Sequence, residues 1–110
     1  MRALQWAYSS NHLVASSGNV DVALDGSPIS LTSLQLSKVS GGNVTALAVK
    51  RSLDGGTTWG AARNVTLPAA LSTAGDAVDI DLVDEAITNV RFVLTVSAST
   101  TVKIVGRGLR

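Results

Sequence analysis

Ser52-Leu53-Asp54-Gly55-Gly56-Thr57-Thr58-Trp59 follows a run of alternating apolar residues, Val44 to Arg51, and precedes a second extended run. The stretch reads as the tip of a β-hairpin. Adjacent glycines allow positive φ at the bend, and the Asp54 carboxylate can accept hydrogen bonds from nearby N–H groups and Ser/Thr hydroxyls. Trp59 supplies a large apolar anchor, expected to pack near Leu47 and Val49. The return strand is expected over roughly Thr57 to Arg63, with Val65 and Leu67 beyond it.

Period-two alternation spreads outward from this hairpin. Leu4, Trp6 and Tyr8 alternate with Ala3, Gln5 and Ala7, and Val20, Val22 and Leu24 alternate with Asp21, Ala23 and Asp25. Asp25-Gly26-Ser27-Pro28 reads as a turn. Ile29 and Leu31 share one parity while Leu34 and Leu36 share the other, which predicts a bulge near Thr32-Ser33 or two short strands. Ser40-Gly41-Gly42-Asn43 turns the chain into Val44. Pro68 to Asp76 is a loop of small residues with room for one helical turn at Pro68-Ala69-Ala70-Leu71. Val78, Ile80 and Leu82 alternate with Asp79 and Asp81, and Val90, Phe92, Leu94 and Val96 form the strongest strand pattern. Ser97-Ala98-Ser99-Thr100 turns that strand back into Val102 to Val105. About eight short strands at intervals of roughly 8–12 residues, with no sustained 3.6-residue period, predict one all-β domain, residues 1–110, built as an antiparallel β-sandwich.

Composition agrees. The chain has 110 residues, of which 45% are hydrophobic and 15% charged, and its net charge is +1. Ser and Thr supply most of the polarity, which suits strands with one solvated face and argues against disorder. No Lys/Arg block marks a nucleic-acid or anionic-membrane partner. No apolar run reaches the roughly 18 residues of a membrane span, and the first residues lack the apolar core of a signal peptide. Without Cys there is neither a disulfide framework nor a thiolate metal site.

The pattern Ser-x-Asp-x-Gly-x-Thr-Trp resembles the Asp-box of sialidases and many other β-proteins. In sialidases, propellers of about 4–8 blades with roughly 40–45 residues per blade, Asp-boxes lie away from the glycosidase site. The resemblance therefore implies a structural turn made by Ser52, Asp54, Gly56, Thr58 and Trp59, and it carries over no catalytic residue.

Other candidates read as structural. Asp79, Asp81, Asp84 and Glu85 form an acidic cluster whose residue types suit Ca²⁺ ligation or glycosidase chemistry. Asp79 and Asp81, however, occupy the polar face of a strand, as expected for a solvated, edge-protecting or Arg/Lys-paired face. His12, beside Ser10 and Asn11 in a predicted turn, reads as a surface histidine, because one His without Cys builds neither a zinc site nor, unaided, a triad. No catalytic, cofactor or metal site is expected. Trp6 and Tyr8 lie on one face of the first strand. They either fill the core or anchor an arm or edge strand within residues 1–10 on a partner. Arg107 and Arg110 in the basic C-terminal tail are the other candidate contacts.

From Val44 onward, the hairpin, the acidic strand and a closing pair, Asn89 to Val96 and Thr101 to Val105, are similar to small β-sandwich proteins of tailed-bacteriophage virions. More distantly they are similar to jelly-roll carbohydrate-binding modules. The resemblance implies a non-enzymatic, jelly-roll-like structural protein. The leading expectation is a capsid decoration (cement) protein, homo-oligomeric, bound to the major capsid protein or other virion proteins, made in the host cytoplasm and located in the virion. A tail- or fibre-associated domain and a glycan-binding module are the alternatives.

Overall fold

The computed structural model describes residues 4–24, 29–67 and 69–109, with side chains described for residues 7–24, 33–67, 69–82 and 87–108. Among these, eight strands follow in order: β1 Leu4–Val14, β2 Gly18–Ala23, β3 Ile29–Gly41, β4 Val44–Ser52, β5 Arg63–Val65, β6 Ala77–Ile87, β7 Asn89–Val96 and β8 Thr100–Leu109. They form two antiparallel four-stranded sheets. One runs β1-β8-β3-β6 (sheet A) and the other β2-β7-β4-β5 (sheet B). This interleaved strand order is the jelly roll, two Greek keys wrapped around one core.

Alternation explains why the sheets close on each other. Val20, Val22, Leu47, Val49, Val90, Phe92 and Leu94 point inward from sheet B. They meet Leu34, Leu36, Val78, Ile80, Leu82, Val102 and Ile104 from sheet A. Phe92 is the largest fully buried side chain, with no exposed surface. Each fully buried Val, Leu, Ile or Phe contributes roughly 1.5–3 kcal/mol, and burial of this row on both sheets sets the strand register.

Every connection except β4 to β5 carries the chain from one sheet to the other. The hairpin at Ser52 to Trp59 is thus the single same-sheet connection among these strands. Its return strand is only Arg63–Val65, paired Leu47↔Val65 to Val49↔Arg63. The expected strand from Thr57 is instead loop, because the backbone there bonds to the turn. The closing pair also differs from expectation. Both β7 and β8 are strands, yet β7 pairs with β2 and β4, while β8 pairs with β1 and β3. A short turn connects neighbours in space, and here those neighbours face each other across the core.

Strand β3 is continuous. Its irregularity against β6 falls between Ile29 and Leu31, not at Thr32-Ser33, and pairing is unbroken from Leu31 to Ser37. A second irregularity, against β8, lies between Lys38 and Ser40. The described part of the 68–76 loop holds no helical turn. Leu71 makes an isolated bridge to Val44 and is buried, plugging one side of the sandwich. Lys38 is buried beside this loop, donating from Nζ to the Ser72 carbonyl at 2.6 Å, while Asp76 Oδ2 accepts the Thr73 N–H at 2.9 Å.

Gly41 has φ +91°, and a Cβ there would collide with the Ser99 carbonyl oxygen. Gly41→Ala should therefore lower the melting temperature although it adds one methyl group. Phe92→Ala should cost about 3–5 kcal/mol in urea unfolding. A loss under about 1 kcal/mol would contradict a core organised around Phe92.

Candidate functional site

Ser52 closes β4 and is buried. Its Oγ donates to Asp54 Oδ1 at 2.8 Å and accepts the Gly56 N–H at 2.9 Å. Asp54 Oδ1 also accepts the Thr58 N–H at 2.9 Å, and Gly60 N–H bonds to the Arg51 carbonyl. Gly55 and Gly56 take φ of 79° and 92°, so the sharp bend needs glycine at both positions. The Thr58 N–H, followed by the Ser52 hydroxyl, holds the Asp54 carboxyl below its ordinary pKa of 3.8. The donors around Asp54 belong to the turn itself. Ser52, Asp54, Gly56 and Thr58 are thus brought together as a cap.

One participant carried no sequence signal. Thr88 is the single residue between β6 in sheet A and β7 in sheet B. Its N–H and hydroxyl both donate to the Ser52 carbonyl, at 2.9 and 3.2 Å, and its Oγ1 accepts the Gly55 N–H at 2.9 Å. Its carbonyl accepts the Leu24 N–H at 2.8 Å. A buried Thr between Ile87 and Asn89 looks like any strand residue until the crossing is seen.

Trp59 does not pack on Leu47 and Val49, which point into the core. It lies on the outer face of sheet B, half-buried, with the Arg91 guanidinium 4.3 Å from its ring centroid. Arg91 alternates with inward-facing Val90 and Phe92, and it grips Asp21 through two bonds of 2.8 and 3.0 Å. This bond to Asp21 raises the Arg91 pKa further, so the cation is permanent. The long loop delivers the indole to the solvated side, where the cation–π contact holds it.

The outer face of sheet A carries an open groove of about 370 Å³ lined by Ser33, Gln35, Asp79, Asp81, Val105 and Arg107 among others. Asp79 and Asp81 are exposed on edge strand β6, as the alternation predicts, and Gln35 Nε2 donates to Asp79 Oδ1 at 2.9 Å. The registers Ser33↔Arg107 and Ser33↔Asp81 place Arg107 and Asp81 on either side of Ser33. The side chains of Asp84 and Glu85 lie outside the described residues, and the described residues contain no cluster of metal-ligating side chains.

Residues 4–10 are not a free arm but the first part of β1, an edge strand paired to β8 from Leu4↔Leu109 to Val14↔Thr100. The backbone of Trp6 belongs to this strand, while its side chain and all of Arg110 lie outside the described residues. Tyr8 is half-buried against the core, and its hydroxyl lies 2.8 Å from His12 Nε2. His12 therefore sits within a strand, half-buried and stacked parallel to Tyr8, not in a surface turn.

The four sheet edges differ. β5 has three residues, β2 has six with Asp21 among them, and β6 carries Asp79 and Asp81. Short length and charge are the usual protections of an open edge. β1 is eleven residues long, with neither charge nor proline from Leu4 to Val14, and it leaves Leu13 70% exposed.

No protein-family model matches the chain, and no curated protein sequence does either. Solved structures resemble it in fold. A family 32 carbohydrate-binding module from a Clostridium perfringens family 31 glycoside hydrolase aligns at a TM-score of 0.62. It shares 17% identity, over 92% of this chain and 77% of that one. An F5/8 type C domain from Bacteroides fragilis aligns at 0.56 with 14% identity, over 87% of this chain and 72% of that one. Chitosan-binding module 1 of a Paenibacillus chitosanase/glucanase aligns at 0.55 with 13% identity, over 92% and 93%. At such identities the likeness establishes the β-sandwich fold alone.

The lowered pKa of Asp54 stabilises the fold above the unfolded-chain value, and that contribution is lost as pH falls through the folded value. Asp54→Asn should be less stable than the parent at neutral pH, with the gap narrowing below pH 3.8 in urea titrations. A gap constant down to about pH 2 would show that the carboxylate charge is immaterial. Thr88→Val, which strands the Gly55 N–H, should cost about 1–3 kcal/mol, whereas Trp59→Ala outside the core should cost only about 1–2 kcal/mol. EDTA should leave the thermal midpoint in place, and a Ca²⁺-dependent rise abolished by Asp79→Asn or Asp81→Asn would establish a metal site.

Proposed function

We propose that the protein is a non-enzymatic structural component of a tailed-phage virion, a decoration protein that clamps neighbouring subunits of the capsid exterior. The observation carrying this reading is β1, an uncharged, proline-free edge strand of eleven residues beside three edges that are short or charged. Such an edge offers a row of backbone donors and acceptors to another strand, and assembly proteins use edges of this kind. The described aromatics support a structural role. Phe92 is sealed, Tyr8 is half-buried and bonded to His12, and Trp59 is half-buried with Arg91 on its ring.

A tail or fibre location is the nearest competing placement. Glycan binding is a second reading, favoured by Trp59, Arg91 and Asp21 grouped on the outer face of sheet B, where sugars stack on indoles and bond to charged groups.

The intact protein should co-sediment with undecorated capsids, and mass spectrometry of particles should find hundreds of copies, on the order of the major capsid protein. Binding to tails or to a glycan array, without capsid binding, would overturn the decoration assignment.

A further inference from the structure

We infer that β1 is the seat of a two-fold interface between two copies of this chain, with β1 pairing antiparallel to β1 and joining two A sheets into one sheet of eight strands. The inference rests on the proposed role of β1 as the assembly edge and names the strand that occupies it.

The choice of partner follows from charge and symmetry. Paired with itself, β1 sets residues of its own run, which holds no Asp, Glu, Lys or Arg, against one another, so no carboxylate, ammonium or guanidinium meets its like. Pairing of β6 with β6 would bring Asp79 and Asp81 of two copies together. Pairing of β1 with β6 would partly desolvate those carboxylates beside a strand that has no Lys or Arg to receive them. It would also be heterologous, leaving a free β1 at one end and β6 at the other, so that copies would form a larger ring or an open filament instead of a closed pair.

The β1–β1 arrangement closes. The combined order is β6-β3-β8-β1, then the same strands reversed in the second copy, so both outer edges are acidic β6 strands. Assembly stops at two because each copy has spent the one edge that, among the described residues, is neither short nor charged. In an antiparallel pair, opposed residues share a face, so the outer faces of the two A sheets become continuous only when paired residue numbers sum to an even value. Leu13, exposed on that face, then gains neighbours from the second copy, and the two Arg107 grooves lie on one broad surface related by the two-fold. Such a surface can bridge two capsid subunits.

Light scattering coupled to gel filtration should give twice the 11.3 kDa mass of the chain. Amide exchange followed by NMR tests the interface without any substitution. In a monomer only alternate β1 amides, those bonded to β8, resist exchange. In the proposed dimer the remaining β1 amides also resist, and their protection falls on dilution. Asn11→Lys/Leu13→Lys, both at exposed positions, should give a monomer with unchanged circular dichroism. A monomeric parent, a trimer or larger species, or a dimer whose free-edge β1 amides exchange rapidly would each overturn the inference. Capsid binding by a monomeric parent would overturn it while leaving the decoration role intact. A β1 dimer that ignores capsids would do the reverse.

Discussion

The junction at Thr88 is the constraint on which the sandwich turns. The chain leaves sheet A at Ile87 and enters sheet B at Asn89, so one residue spans the layers and its polar groups drop out of both ladders. Buried backbone groups without partners cost free energy comparable to a lost hydrogen bond. Here the Ser52 carbonyl, the Leu24 N–H and the Gly55 N–H take up that capacity. The junction thereby ties the ends of β2 and β4 and the loop after Ser52 to the point where the sheets meet. With that corner set, β6 and β7 are held with their apolar faces opposed, and the Phe92 core forms between them.

Polarity is distributed around this frame with a clear asymmetry. Sheet B carries its charge on the outer face, where Asp21, Arg91 and the Trp59 indole are linked side by side. Sheet A bears acid on one edge strand and none on the other. The Asp54 carboxyl, held below its ordinary pKa, is engaged by its own turn, and the groove on sheet A is open. Among the described residues, β1 is the long edge strand with neither charge nor proline, and its outer backbone groups are not used by either sheet.

Legibility varied with how local the physics was. The turn from Ser52 to Thr58 was readable because its side-chain bonds join residues two to four apart, and because glycine at positive φ leaves a compositional trace. The acidic face of β6 was readable because alternation alone assigns Asp79 and Asp81 to solvent. Trp59 was misplaced because residue type suggests burial, whereas loop length decides which side of the sheet the ring reaches. Thr88 and Lys38 were invisible for a related reason. Their roles come from Ser52 and Ser72, distant in sequence, and neither side chain advertises a junction.

Alternation and turn chemistry by themselves determined an all-β chain, the presence of most strands, many of their inward residues and the hairpin at Ser52 to Trp59, because these depend on a residue and its near neighbours. Tertiary structure decided which strands pair. The turn at Ser97 to Thr100 reads as a hairpin, yet β7 and β8 lie in opposite sheets, since each buries its apolar face by facing the other across the core. That sorting placed β1 at an edge of sheet A and so made a run without Asp, Glu, Lys, Arg or Pro into one of the four edge strands. Edge position is a property of the whole arrangement, because it depends on which strands are left without a second neighbour.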